Sequence, residues 1–122
     1  MKELTKAEEQ IMQILWNIGS GFVRDVLDQM EEPKPAYNTV STIIRILESK
    51  GCVGYTAEGK SHRYYPLLSR EDYLKHTTGG LLRNYFNNSL AGFVSFFAKE
   101  EKLETKELDK ILEILQKERD KK

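Results

Sequence analysis

The stretch PAYNTVSTIIRILESKG, Pro35–Gly51, reads as a helix with two unlike faces. Val40, Ile43, Ile44 and Leu47 recur at i, i+3, i+4 and i+7, the spacing of one buried helical stripe. The other side carries Tyr37, Asn38, Thr39, Ser41, Thr42 and Arg45: short polar groups, one ring and one guanidinium. Lys50 suits the negative end of the helix dipole, and Gly51 supplies the left-handed residue that often closes a helix. Pro33 and Pro35 keep the preceding chain out of a helix, so this one starts near Ala36. Such a polar face needs a partner that short donors and acceptors can read.

Upstream, Thr5 and Glu8 have the spacing of a capping box. Ala7, Ile11, Ile14, Leu15 and Ile18 then form a helical stripe that ends at Gly19-Ser20-Gly21. Val23, Val26, Leu27 and Met30 mark a short second helix. Downstream, CVGYTAEGKSHRYYP (Cys52–Pro66) holds two β-prone runs, Cys52–Ala57 and Ser61–Tyr65, around a Glu58-Gly59-Lys60 turn. Alternation places His62 and Tyr64 on one face and Arg63 and Tyr65 on the other. Ser69 caps a further helix, with acids in its first turn and a weak point at Gly79-Gly80, running to about Phe86. Asn87-Asn88-Ser89 restarts the chain, and Leu90, Phe93, Val94 and Phe97 form a stripe. A last helix is expected from Thr105 as cap, with Leu108, Ile111, Leu112 and Leu115 in register.

Three helices followed by a hairpin are the layout of a winged helix-turn-helix. The fold class expected is therefore mainly α with a small β-hairpin wing, a DNA-binding winged helix over residues 1–68 and a helical dimerisation region over 69–122. In this motif the third helix enters the DNA major groove, whose donor and acceptor pattern short polar side chains can read. Tyr37, Asn38, Thr39, Ser41, Thr42 and Arg45 are the candidate groove-facing residues. Lys60, His62 and Arg63 at the wing tip would lie along the backbone. Net charge is zero, but its distribution is uneven. Between Pro33 and Pro66 five bases, Lys34, Arg45, Lys50, Lys60 and Arg63, face two acids, whereas residues 1–32 hold seven acids against three bases. Local asymmetry of this kind bears on partners more than the sum does. A winged helix that docks a protein remains the alternative, as does a regulator that senses a small ligand in its helical region.

Other classes fit poorly. His62 and His76 are the only histidines, and neither has a ligand cluster at metal spacing. Cys52 is the single cysteine, which excludes a disulfide framework and reads as a small core residue. Ser20 lies in a Gly-Ser-Gly turn, not a nucleophile elbow. No glycine-rich phosphate loop occurs. The expectation is no enzyme, no metal and no cofactor. Trp16 reads as core. No apolar run reaches the ~20 residues of a membrane span, and MKELTKAEEQ has no signal-peptide core, so the expected location is cytoplasmic without membrane insertion.

Three blocks carry a resemblance. LTKAEEQIMQILW (Leu4–Trp16), YNTVSTIIRILESKG (Tyr37–Gly51) and GKSHRYYPLLSREDY (Gly59–Tyr73) resemble, in order and spacing, the segments of the penicillinase-repressor family of the BlaI/MecI type. The resemblance implies a dimeric transcriptional repressor that binds a dyad-symmetric operator and blocks transcription. It supports Asn38, Thr39, Thr42 and Arg45 on the recognition helix, and Lys60 and Arg63 in the wing, as DNA-facing. It implies double-stranded operator DNA, a second copy of the chain and a membrane sensor peptidase as partners. Members relieved by proteolysis are cut at an Asn-Phe pair before an acidic stretch. The matching place is Ser95-Phe96 in FVSFFAKEE, where the Phe is kept and the Asn is not. The copper-responsive branch has clustered C-terminal cysteines, which this chain lacks.

The second half also argues for pairing on its own chemistry. Tyr85, Phe86, Leu90, Phe93, Val94, Phe96 and Phe97 are too many large apolar groups for short helices to hide. Each is worth about 1.5–3 kcal/mol when buried, and an exposed stripe of them invites aggregation. A two-fold dimer through this stripe and Leu108, Ile111, Leu112 and Leu115 is expected, because isologous pairing mirrors operator dyads. Packing against the N-terminal domain is the competing arrangement.

Overall fold

A computed structural model describes residues 3–101 and 103–121. Helix α1 (Lys6–Ile18) starts on the expected capping box: the Thr5 N–H donates to Glu8 Oε1 at 2.8 Å and the Glu8 N–H to Thr5 Oγ1 at 3.1 Å. It buries Ile11, Met12 and Leu15, with Ile14 and Ile18 packed at the margin. Ala7, expected in the stripe, faces solvent, and Glu8 is buried in its stead. Helix α2 (Val23–Asp28) contributes Val23, Val26 and Leu27, with Met30 following it. Its last two carbonyls and that of Met30 accept from Lys34 Nζ, at 3.2 Å from Leu27 O, 3.1 Å from Asp28 O and 2.7 Å from Met30 O.

Helix α3 (Tyr37–Ser49) begins after Ala36 without a side-chain cap and buries Val40, Ile44 and Leu47. Ile43 is half-buried against the same core. Gly51 follows the helix at φ 79°. Strands β1 (Val53–Glu58) and β2 (Ser61–Pro66) pair antiparallel from Val53 opposite Pro66 to Glu58 opposite Ser61. The turn between them is Gly59-Lys60, with Gly59 at φ 62°, the positive angle that two-residue hairpin turns require. Cys52, Val53 and Tyr64 close the core from the wing side.

The wing is pinned at its base. Gly21 and Tyr64 exchange two backbone hydrogen bonds, Gly21 N–H to Tyr64 O at 2.9 Å and Tyr64 N–H to Gly21 O at 2.8 Å. A side chain at position 21 would meet Asp25 Cβ and Ile18 Cδ1 at 3.0 Å, which accounts for glycine there.

Helix α4 (Arg70–Phe86) is capped by Ser69, whose Oγ accepts the Asp72 N–H at 3.0 Å, and it runs unbroken through Gly79-Gly80. Its first turns belong to the winged unit. Trp16 Nε1 donates to Leu68 O at 2.8 Å, the Trp16 and Tyr73 rings lie 5.7 Å apart, and the Tyr73 hydroxyl donates to Glu9 at 2.5 Å. Burial and the bond to Glu9 together push the Tyr73 hydroxyl above its ordinary pKa. The compact units accordingly divide between Thr77 and Thr78, inside α4, while the boundary read from the sequence marks where that helix begins.

The second unit comprises the rest of α4, α5 (Leu90–Glu101) and α6 (Thr105–Asp120). Asn87 and Asn88 adopt positive φ at the α4–α5 junction, and Ser89 Oγ accepts the Gly92 N–H at 2.9 Å. Phe86 meets Phe93 and Phe96 at ring separations of 5.4 and 5.8 Å, and Phe93 meets Phe97 at 6.1 Å. The cap of α6 is Glu104, not Thr105, and it makes no side-chain cap bond; Thr105 is the first helical residue. No described residue of this unit is fully buried. Among the described residues, no helix is long and apolar enough to cross a membrane.

Candidate nucleic-acid interface

Along α3 the polar residues fall into two rows. Tyr37, Ser41 and Arg45, four residues apart, border a groove between this helix, the start of α2 and the wing. Phe22, Val23 and Arg24 form its α2 wall, and Lys60, Ser61, His62 and Tyr64 its wing wall. Among the described residues, no acidic residue lines it. Asn38, Thr39 and Thr42 sit on the exposed flank of α3, outside the groove. The Thr42 hydroxyl donates to Asn38 O at 2.8 Å, so toward a partner it offers lone pairs and a methyl group rather than its proton.

The wing's groove-side face is aromatic. Tyr55 and His62 stack at 4.0 Å with planes 9° apart, and both rings lie 6.1 Å from Tyr64. Tyr64 itself is buried, which raises its hydroxyl pKa; nearby Glu48 raises it further and Arg45 works against the rise. Tyr64 is thus a neutral wall at physiological pH.

Arg63 is placed differently from Lys60 and His62. Its Nε donates to Glu58 Oε1 at 2.9 Å across the hairpin, and its guanidinium lies 4.4 Å from the Phe22 ring centroid. It lines no part of the groove. Two of the other bases in the positive segment are engaged as well. Lys34 caps α2, and Lys50 pairs with Glu8 at 2.7 Å. Of the five bases that tilt residues 33–66 positive, the groove keeps Arg45 and Lys60. It gains Arg24 from the acidic N-terminal segment, a residue that charge counting by window passes over. Arg24 lies over the Tyr37 ring at 5.6 Å. Among the described residues, none of Arg24, Arg45 and Lys60 has a carboxylate partner at ion-pair distance.

Ser95 and Phe96 lie inside α5, both exposed. Tyr85, Leu90, Val94, Phe96 and Phe97 are exposed, while Phe86 and Phe93 are half-buried by one another. On α6, Leu108, Leu112 and Leu115 are exposed and Ile111 is half-buried.

A three-helix core with a pinned hairpin and a polar helix face beside it defines a winged-helix protein. The comparisons with known proteins then narrow the class. The family model for the penicillinase repressor matches residues 4–117, and the chain belongs to that family, whose members are transcriptional repressors and not enzymes. The methicillin resistance regulatory protein MecI of Staphylococcus aureus strain N315 is 23% identical over 116 residues, covering 94% of each chain. A penicillinase repressor of Staphylococcus aureus is 24% identical over 114 residues, covering 93% of this chain and 90% of its own. The solution structure of the DNA binding domain of the repressor BlaI superposes with a TM-score of 0.51 and 25% identity, over 60% of this chain and 94% of that one.

Proposed function

We propose that this chain is a cytoplasmic, homodimeric, sequence-specific DNA-binding repressor that occupies a dyad-symmetric operator and blocks transcription sterically. The observation that carries the reading is the acid-free groove. It sets Arg24, Arg45, Lys60 and His62 around the polar face of α3. A groove of that charge suits a phosphate backbone, while Asn38, Thr39, Thr42 and Arg45 present the short donors and acceptors that read base edges in a major groove. Family membership supports the same reading. The dimer would form through the apolar residues of α5 and α6. Release by proteolysis at Ser95-Phe96, downstream of a membrane sensor peptidase, belongs to the same proposal. That bond sits in an intact helix, so a protease would have to open α5 to reach it.

The test is a salt series. The full chain is titrated against a duplex from the region upstream of its own reading frame and against an unrelated duplex of equal length. Tight binding selective for the upstream duplex, with a steep negative slope of log K on log salt, is expected. Weak binding that is insensitive to salt on both duplexes overturns the reading in favour of protein docking.

Arg45→Ala separates the two kinds of contact in the same assay. If Arg45 forks onto a base, the loss is about 1–3 kcal/mol and falls on the cognate duplex alone. An equal loss on both duplexes assigns Arg45 to a phosphate.

A further inference from the structure

The geometry points to Arg24 as a phosphate-gripping residue of the DNA groove, held in place by the Tyr37 ring, and to Arg63 as a brace that positions the wing without itself touching DNA. The assignment rests on the DNA-binding reading above and deepens it.

Two basic residues flank the same part of the molecule and differ in what they touch. Arg63 is occupied on two sides, by the Glu58 carboxylate at 2.9 Å and by the Phe22 ring at 4.4 Å. These contacts tie β2 to β1 and to the residue that opens α2. A guanidinium so engaged has given its charge to a carboxylate and one face to a ring. A phosphate brought to it would also meet the half-exposed Glu58 carboxylate, which repels it.

Arg24 is exposed and lines the groove, with no carboxylate at ion-pair distance among the described residues. Its neighbour Asp25 is turned back, with Oδ2 accepting the Phe22 N–H at 2.8 Å. The guanidinium lies 5.6 Å from the Tyr37 ring centroid. A ring under one face restricts the long side chain while leaving the N–H groups at its edge to donate. The donors are therefore ordered before a phosphate arrives, which lowers the entropy cost of the contact. Arg45 and Lys60 border the same groove. Arg24 and Lys60 line one backbone track beside Arg45, with Tyr37 acting through Arg24.

The salt series distinguishes these roles, using the full chain and both duplexes. R24Q is expected to reduce the slope by about 1 per half-site, with an equal fold-loss of affinity on the upstream and unrelated duplexes. R24K should restore most of the slope, since a phosphate contact needs the charge. Y37L should lose part of what R24Q loses, with no added loss in R24Q/Y37L. R63Q should weaken binding while leaving the slope as in wild type. The assignment is overturned if R24Q leaves the slope unchanged while wild type is steep, if its loss is confined to the upstream duplex, or if R63Q lowers the slope and R24Q does not. A wild-type chain without salt-dependent affinity for either duplex overturns the DNA reading itself, and that outcome is distinct from a flat R24Q response against a steep wild type.

Discussion

Lys50→Met should destabilise the winged unit by about 2–3 kcal/mol at neutral pH, because it strands a buried carboxylate. Glu8 is 4% exposed, and its Oε1 accepts both from Lys50 Nζ at 2.7 Å and from the Thr5 N–H at 2.8 Å. Lys50 keeps 20% of its side-chain surface in water, which places the loss at or below the lower end of what fully buried pairs cost. Glu8→Gln should be milder, about 1 kcal/mol, since an amide oxygen can still accept both bonds and the one charge left unpaired, Lys50, keeps part of its surface in water. The double variant E8Q/K50M should fall close to E8Q alone. Thermal or urea unfolding of the four proteins gives the coupling directly. A K50M chain that unfolds with wild type would show that the pair contributes nothing.

The same pair predicts a pH response. Burial pushes the Glu8 carboxyl upward, but the Lys50 ammonium and the Thr5 N–H outweigh it, and the carboxyl lies below its ordinary value of 4.5. As pH falls, the unfolded chain therefore takes up this proton first. The contribution to stability is complete above 4.5 and disappears as pH drops through the folded value. Wild type should lose stability over that window by more than E8Q does. Parallel acid profiles would remove Glu8 as the cause.

These contacts also mark the limit of what the sequence reveals. The stripes of α2 and α3 were legible because a period of 3.6 states which side of a helix is apolar. The hairpin was legible because two β-prone runs flank a glycine turn. The Thr5–Glu8 box was legible because its partners are three residues apart. Periodicity does not name tertiary partners. Lys50 reads as a dipole residue on α3, yet its partner is 42 residues away on α1. Glu8 reads as half of a cap, and that ion pair is what lets it sit in the core while Ala7 turns outward. Met12 was open to detection, one residue from Ile11 and three from Leu15. At the candidate site the polar row of α3 was legible, whereas Arg24 was not, since it lies in an acidic window and enters the groove only once α2 packs beside α3. Arg63 shows the reverse case: a basic wing residue that cross-strand pairing withdraws from the groove.

Charged substitutions in the second unit carry the largest expected effect on DNA binding. Leu112 is 64% exposed on α6 and Phe96 is 55% exposed on α5. Replacing Leu112 with Asp removes little internal packing and replacing Phe96 gives up one ring contact, with Phe86, so the fold of one chain should survive. In a dimer built through these helices, the same change buries a charge against an apolar partner surface, at a cost of several kcal/mol per protomer. L112D and F96D should therefore sediment as monomers where wild type is a dimer. Each monomer then grips one half-site, and the gain from joining two weak contacts is lost, about 100-fold or more in operator affinity. Affinity for the unrelated duplex should fall less, because it never depended on two half-sites in register. The salt response per protomer should persist, since Arg24, Arg45 and Lys60 lie in the other unit. A wild-type chain that saturates the operator while sedimenting as a monomer would separate binding from pairing. The apolar stripes would then need an occupant other than a second copy.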